Sequence, residues 1–368
     1  VGTDNPELLD DPMYLGWRHK RIRGKDYDEF IELFVTAVKN HIPDVFLHWE
    51  DFGRGNARKI LNQFQDELCT FNDDIQGTGA VTLSALLAAC DITGLSLEKN
   101  RIIVFGAGSA GTGISEQIVD AMVGLGLSLK EAHKCFWLID RQGLLVENDP
   151  ELTDAQRPFA RKSAELAGWQ MHDKKFPSLT DTVRNVKPTI LIGCSAQPGA
   201  FSQDIIETMA SHCERPIIFP LSNPDEKCEA QPSDILVWSN GKALIATGTA
   251  FPAVEYQNRL VEIAQCNNAL VFPGIGLGVL AVRASRLSKA MVWAASQALS
   301  TFSPSKKDSF LPLLPSLNDA QTVAKNIAVA VAKSAIDTGL AQCNQDKDLE
   351  ELIQEQFWEP RYLPFKRI

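Results

Sequence analysis

Arg101-Ile102-Ile103-Val104-Phe105 runs directly into Gly106-Ala107-Gly108-Ser109-Ala110-Gly111, and a helical stretch follows to about Gly124. An apolar strand, a GxGxxG turn and a helix in that order restrict the fold more than any other feature of the chain. Each glycine has a physical task in this setting. Gly106 permits the tight turn, Gly108 lets backbone approach a pyrophosphate, and Gly111 lets helix and strand pack closely. The helix N-terminus adds amide donors and a partial positive charge for phosphates. The six residues from Gly106 to Gly111 are therefore candidates for holding a dinucleotide, NAD.

The surrounding pattern fits this reading. Further apolar strand candidates are Cys135–Ile139, Thr189–Ile192, Pro216–Leu221 and Ala243–Ala246, with helical or mixed segments between them. Continuous apolar strands separated by helices indicate a parallel sheet covered on both faces. The expected fold class is α/β, a doubly wound, mostly parallel Rossmann-like sheet with a second, discontinuous α/β domain. The expected division is residues 73–267 for NAD binding, residues 1–72 with 268–340 for the substrate and metal side, and residues 341–368 as an extension. Asp140, at the end of the second strand, is the candidate for the adenosine ribose. It lies 29 residues after Gly111, beyond the usual spacing of ~20, and an inserted turn over Gly124–Ala132 is expected to account for the excess.

Nearer the N-terminus, apolar residues at Phe30, Leu33, Phe34, Ala37 and Val38 mark one face of a helix over Asp26–His41. Asp44–Trp49 reads as a short buried strand, and Gly55–Phe64 as a second helix. The basic, aromatic tail from Trp358 to Ile368 is expected to pack on a neighbour, within or between subunits. The 368 residues carry 36 Lys plus Arg against 46 Asp plus Glu, a net charge of -10. That balance argues against nucleic acid as a partner. The longest nearly apolar run, Ala269–Val282, is too short to span a bilayer, so no membrane partner is expected. Eight cysteines lack CxxC pairs and zinc spacing. They read as reduced cytoplasmic thiols.

Two acidic pairs, Glu50-Asp51 and Asp73-Asp74, each follow a short apolar run. Each is expected at the carboxyl end of a strand, where open α/β folds place ligands. Several carboxylates converging there would repel unless a divalent cation intervened, and an all-oxygen set suits Mg²⁺ or Mn²⁺. His48 is close enough in sequence to add a nitrogen.

Glu50-Asp51-Phe52 followed by Phe71-Asn72-Asp73-Asp74-Ile75-Gln76-Gly77-Thr78 resembles the signature of the malic enzyme family. The opening Val1–Asn5, Lys20–Arg23, Gly106–Gly108, Leu221–Pro224, Gln265–Asn268 and Val271–Gly276 extend the match in the same order. The resemblance covers essentially the whole chain and leans toward the bacterial NAD-dependent type. It implies metal ligands Glu50, Asp51 and Asp74, with Asp73 as a catalytic or second-layer partner. It implies that Asn223 and Asn268 bind the substrate carboxylates, with Asn267 nearby, and that Asn223 also borders the cofactor. It further implies L-malate as substrate and pyruvate as product, NAD with Mn²⁺ or Mg²⁺, and a homo-oligomer, dimer or tetramer. NADP-dependent relatives carry a lysine where this chain has Gln156, which favours NAD. The family's lysine base, tyrosine acid and a substrate-binding arginine precede the Val-Gly-Thr-Asp segment. The chain is thus expected to be a C-terminal portion, nearly inactive alone. A malolactic enzyme, or a non-catalytic NAD-binding module, are the alternatives.

Overall fold

The computed structural model describes residues 2–171, 176–308, 310–343, 347–359 and 361–367. Val1 of the opening motif, and Pro360 and Ile368 of the tail, lie outside the described residues. The chain forms two compact units, residues 1–45 and 46–368.

In the first unit Asn5 caps the short helix Pro6–Asp10, its side chain accepting from the Glu7 amide. Asp4 accepts from the Arg21 amide and pairs with Arg23, and the Thr3 amide donates to the His19 carbonyl. The helix Gly24–His41 is present, but its buried residues are Ile31 and Val35, while Phe30, Leu33 and Phe34 are exposed. The expected apolar face is therefore not the buried one. Spacing establishes that a helix forms; packing selects the stripe that is covered.

The second unit begins with β1 (Leu47–Trp49), a helix over Arg54–Phe64 and β2 (Thr70–Asn72). β1 and β2 pair in parallel, with Leu47 opposite Thr70 and Trp49 opposite Asn72. The principal strands follow: β3 (Ile102–Phe105), β4 (Phe136–Asp140), β5 (Gly143–Leu144), β6 (Ile190–Gly193), β7 (Ile217–Pro220) and β8 (Leu244–Thr247). β9 (Val254–Tyr256) and β10 (Arg259–Val261) make a separate antiparallel pair, and β11 (Ala264–Gln265) closes the main sheet. That sheet has seven strands in the order β11-β8-β7-β6-β3-β4-β5. All its pairings are parallel except β4 with β5.

The apolar strand runs serve both faces of this sheet. Ile102 and Val104 join one core with Ile190, Ile192, Ile217 and Phe219. Their alternate neighbours Ile103, Phe105, Leu191 and Ile218 join a second core with Leu179, Ile205, Ile206 and Met209. Period-two alternation sends successive side chains to opposite faces, so a strand covered on both sides is apolar throughout. The helix Thr78–Thr93 is apolar on nearly every side for a related reason, being buried between the helices Ser109–Gly124 and Lys289–Thr301.

The chain leaves β3 toward β4 on one side and returns to β6 on the other. The order reverses there, opening a crevice at the carboxyl ends of β3 and β6. Within the expected insertion Gly124–Ala132 the chain turns at Leu125-Gly126 and then begins a short helix, Leu129–Lys134. Ser128 caps it, accepting from the Glu131 amide at 3.3 Å, while Glu131 accepts from the Ser128 amide at 3.0 Å. This reciprocal cap stabilises a helix too short to persist alone, and it separates β3 from β4 by more than the common spacing.

Candidate functional site

The in-register parallel pairing of β1 and β2 decides where the acidic residues go. Trp49 lies opposite Asn72, so Glu50-Asp51 and Asp73-Asp74 leave the same end of two adjacent strands. Asp51 sits in the left-handed region at φ 61°. Its amide donates to Asp74 Oδ2 at 3.0 Å, joining the two pairs. Residues with a short polar side chain tolerate that conformation, and non-glycine residues there cluster at functional sites. Asp73–Gly77 forms one wide helical turn ahead of Thr78. The Asn72 side chain caps it by accepting from the Ile75 amide at 3.0 Å.

Asp73 is buried, Asp74 half-buried, and Glu50 and Asp51 are exposed. Asp73 Oδ2 accepts from the Asn268 side-chain amide at 2.9 Å. Its Oδ1 is buried and has no hydrogen-bond partner, and His48 Nε2 shares that condition. The His48 ring is held edge-on between Phe71 and Phe272, with centroids 5.1 and 5.2 Å away. Its Nε2 stands 3.7 Å from Glu50 and 3.9 Å from Asp73 Oδ1. One ligand atom from each of His48, Glu50 and Asp73 lies within 4.8 Å of the other two. Burial raises the Asp73 carboxyl above its ordinary range, and Glu50 and Asp74 add to the rise. The Asn268 bond and His48 act in the opposite direction. Burial also raises Asp74, opposed chiefly by the Asp51 amide and reinforced by Asp51 and Glu50. Converging acids with unpaired buried acceptors are the condition that a divalent cation relieves. The donor set of carboxylates with one imidazole fits Mn²⁺ or Mg²⁺.

At the β3 turn, the Gly106 and Ala107 amides both donate to the Ile139 carbonyl, at 2.8 and 3.1 Å. Gly106 has φ 103°, and a Cβ there would stand 2.4 Å from the Cys194 carbonyl. A Cβ at Gly111 would stand 2.1 Å from the Gly106 carbonyl oxygen. The helix Ser109–Gly124 starts within the turn. Asp140 ends β4, and one of its carboxylate oxygens accepts from Gln156 Nε2 at 2.9 Å. The same amide donates to the Ala107 carbonyl at 2.9 Å. Gln156 thus clips the ribose candidate to the glycine-rich turn, a structural task that its sequence position did not reveal. Gln156→Ala should weaken NAD binding about 3- to 10-fold by freeing Asp140, with a stability loss of ~1 kcal/mol for the two bonds. Dinucleotide titration alongside thermal melting checks this; unchanged affinity would remove the clip from the binding argument.

The asparagines separate. Asn268 joins Asp73 and approaches the Thr78 hydroxyl at 3.2 Å. Asn267 is a turn residue, accepting from the Ala269 amide at 2.9 Å. Asn223 is exposed just beyond β7, and its Oδ1 lies 2.4 Å from where a Cβ at Gly248 would stand. Among the described residues no hydrogen bond joins Asn223 to the acidic cluster. Gln117 connects the two halves of the site. From the helix Ser109–Gly124 its Nε2 donates to the carbonyls of Ile75 and Gln76, at 3.2 and 3.0 Å. Two residues had no local signature: Gln117, and Glu229, which is buried between the loops after β6 and β7. Each is a single polar residue in an unremarkable stretch, and only its several partners in the fold mark it.

Comparison with known proteins places this arrangement. Residues 75–336 match the family profile described as malic enzyme, NAD binding domain, and residues 1–65 match malic enzyme, N-terminal domain. The NAD-dependent malic enzyme of Shewanella frigidimarina is 51% identical over 367 residues, covering 100% of this chain and 65% of the relative. That of Vibrio parahaemolyticus is 50% identical over the same shares. The chain thus spans about 65% of the length of the curated relatives it matches. Among solved structures, the malic enzyme of Entamoeba histolytica superposes with a TM-score of 0.71 at 25% identity, covering 90% of this chain and 62% of that one. The malic enzyme from Pyrococcus horikoshii shares the fold, with a TM-score of 0.68 at 23% identity over 91% and 70% of the two chains. With the glycine-rich crevice, the paired acidic strand ends and both family profiles in one sequence, the chain belongs to the malic enzyme family.

Proposed function

We propose that the protein performs NAD-dependent oxidative decarboxylation of L-malate to pyruvate and CO₂ with Mn²⁺ or Mg²⁺. The observation that carries this reading is the Gln117 tie between the dinucleotide helix and the turn bearing Asp73 and Asp74. On this reading it ties the cation-binding end to the hydride-accepting end, as a metal-assisted oxidation requires. When bound, the cation would polarise the C2 oxygen and C1 carboxylate of L-malate, and NAD would accept the C2 hydride.

The chain's own residues do the remaining work. Glu50, Asp51 and Asp74 would hold the cation, the exposure of Glu50 and Asp51 leaving room for the waters and substrate oxygens that Mg²⁺ and Mn²⁺ retain. Asp73, fixed by Asn268, offers Oδ1 as an open acceptor beside the site. Asn268 and Asn223 orient the substrate carboxylates, and Asn267 shapes the turn that presents Asn268. Gly106–Gly111 and Asp140 hold the dinucleotide. One observation favours a second ligand set, His48, Glu50 and Asp73, because those atoms lie within 4.8 Å. Mn²⁺-induced thermal stabilisation separates the two. Loss in Asp74→Ala with retention in His48→Ala supports the first set, and the reverse pattern supports the second.

The same reading assigns residues 73–267 to the NAD domain, and residues 1–72 with 268–340 to the metal side. It makes the protein a cytoplasmic homodimer or homotetramer. Eight unpaired cysteines agree with a reducing compartment. Exposed Trp358, Tyr362 and Phe365 provide apolar surface for a subunit contact. The functional test follows NADH absorbance with L-malate, NAD and Mn²⁺, in this chain and in one extended to the length of its relatives. Metal-dependent NADH and pyruvate, abolished by Asp74→Ala, are expected of the extended chain. Lactate without free NADH would make it a malolactic enzyme. NAD binding with no turnover in either chain would make it a non-catalytic module.

A further inference from the structure

Glu229 is fully buried. Its Oε1 accepts from the Ser195 amide at 2.8 Å, the Ser195 hydroxyl at 2.8 Å and the Ser222 hydroxyl at 2.5 Å. Its Oε2 faces the Ser222 amide at 3.4 Å. The direction of these bonds is settled locally. Ser195 Oγ already accepts from the Gln197 amide at 3.1 Å, and Ser222 Oγ from the Ala196 amide at 2.8 Å. Each hydroxyl therefore directs its proton at Glu229. The two amides and two hydroxyls that face the carboxyl all donate to it, the set of partners that suits a carboxylate. Among the described residues no Lys, Arg or His pairs with it. A buried anion without a counter-cation is costly even when hydrogen-bonded.

Its position suggests what offsets that cost. A Cβ at Gly193, the last residue of β6, would stand 2.5 Å from the Glu229 carboxyl carbon. A Cβ at Gly106 would stand 2.6 Å from the Ser195 amide nitrogen that Glu229 holds. The charge thus lies one hydrogen bond from the first glycine of the dinucleotide turn. It also ties down Ser222, the neighbour of Asn223. A dinucleotide with its pyrophosphate on Gly106–Gly111 extends its nicotinamide across the switch point toward these loops. The oxidised ring is a pyridinium cation and the reduced ring is neutral.

We propose that Glu229 is a specificity-determining residue for the oxidation state of the cofactor, serving as the fixed counter-charge that favours NAD over NADH. The inference rests on the dinucleotide reading of the crevice. It goes beyond that reading by assigning a preference between two forms of identical shape elsewhere. For a malate-oxidising direction such a bias is useful, since it loads the oxidised form and weakens retention of the reduced product.

Glu229→Gln is the discriminating variant, because an amide can keep the acceptor contacts at one oxygen while removing the charge. NADH affinity is read from its fluorescence, and NAD affinity from competition against it. Glu229→Gln should weaken NAD binding about 3- to 10-fold and change NADH binding less than about twofold. Ser222→Ala loosens the same two loops but leaves the charge, so its NAD-to-NADH affinity ratio should stay within about twofold of the original. Equal weakening toward both forms in Glu229→Gln, or an equal ratio shift in Ser222→Ala, would make Glu229 purely architectural and overturn the proposal. Failure of the unaltered chain to bind either form would overturn the dinucleotide reading itself. If Glu229→Gln does not fold, the unaltered chain decides: tighter binding of NAD than NADH supports the counter-charge, and the opposite order overturns it.

Discussion

Gly106→Ala should reduce dinucleotide affinity by about 100-fold or more and lower the melting temperature by several degrees. Two costs combine at this position. Alanine at φ 103° is strained by ~1–3 kcal/mol. Its Cβ would also stand 2.4 Å from the Cys194 carbonyl and 2.6 Å from the Ser195 amide, both backbone atoms. Neither can move without displacing the end of β6 or the loop that Glu229 holds. The turn itself would shift instead, carrying its amides away from the pyrophosphate. NADH fluorescence titration and thermal melting read both effects. Full affinity with lowered stability would mean that the turn matters for packing and that the dinucleotide lies elsewhere.

Asp73→Asn should separate stability from metal chemistry. Without metal, Asp73 keeps a buried, unpartnered Oδ1 near Glu50 and Asp74, and burial raises its carboxyl. An amide removes the charge and can still accept from Asn268. The metal-free variant should therefore be more stable by ~1 kcal/mol, the scale on which burial and neighbouring carboxylates disfavour one ionised group. Its response to Mn²⁺ should fall. A cation at one hundred times its dissociation constant stabilises a folded protein by ~2.7 kcal/mol, and most of that increment should disappear. Melting curves with and without Mn²⁺ give both numbers. A variant less stable without metal would show that Asp73 organises the turn at Asp73–Gly77 through its charge. The gain in stability with loss of function is the pattern expected where a fold tolerates local repulsion in order to hold a ligand.

The parts of this protein legible in sequence are those encoded by neighbours along the chain. An apolar strand, three glycines at fixed offsets and a following helix mark a strand-turn-helix unit, because the backbone requirements of the turn are written in consecutive residues. Alternating strand and helix runs specify a doubly wound sheet. The two acidic pairs are visible as residues after short apolar runs. Their union depends on the register of β1 with β2, which brings together segments separated by a whole helix. Tertiary structure alone also decided which stripe of the Gly24–His41 helix is buried. The same holds for Gln156 clipping Asp140 to the turn, and for the buried Glu229 charge beside the crevice. Gln156 and Glu229 each rest on partners from other elements of the fold. A single polar residue carries no periodicity to announce its environment, and its role is set by what folding removes from water around it.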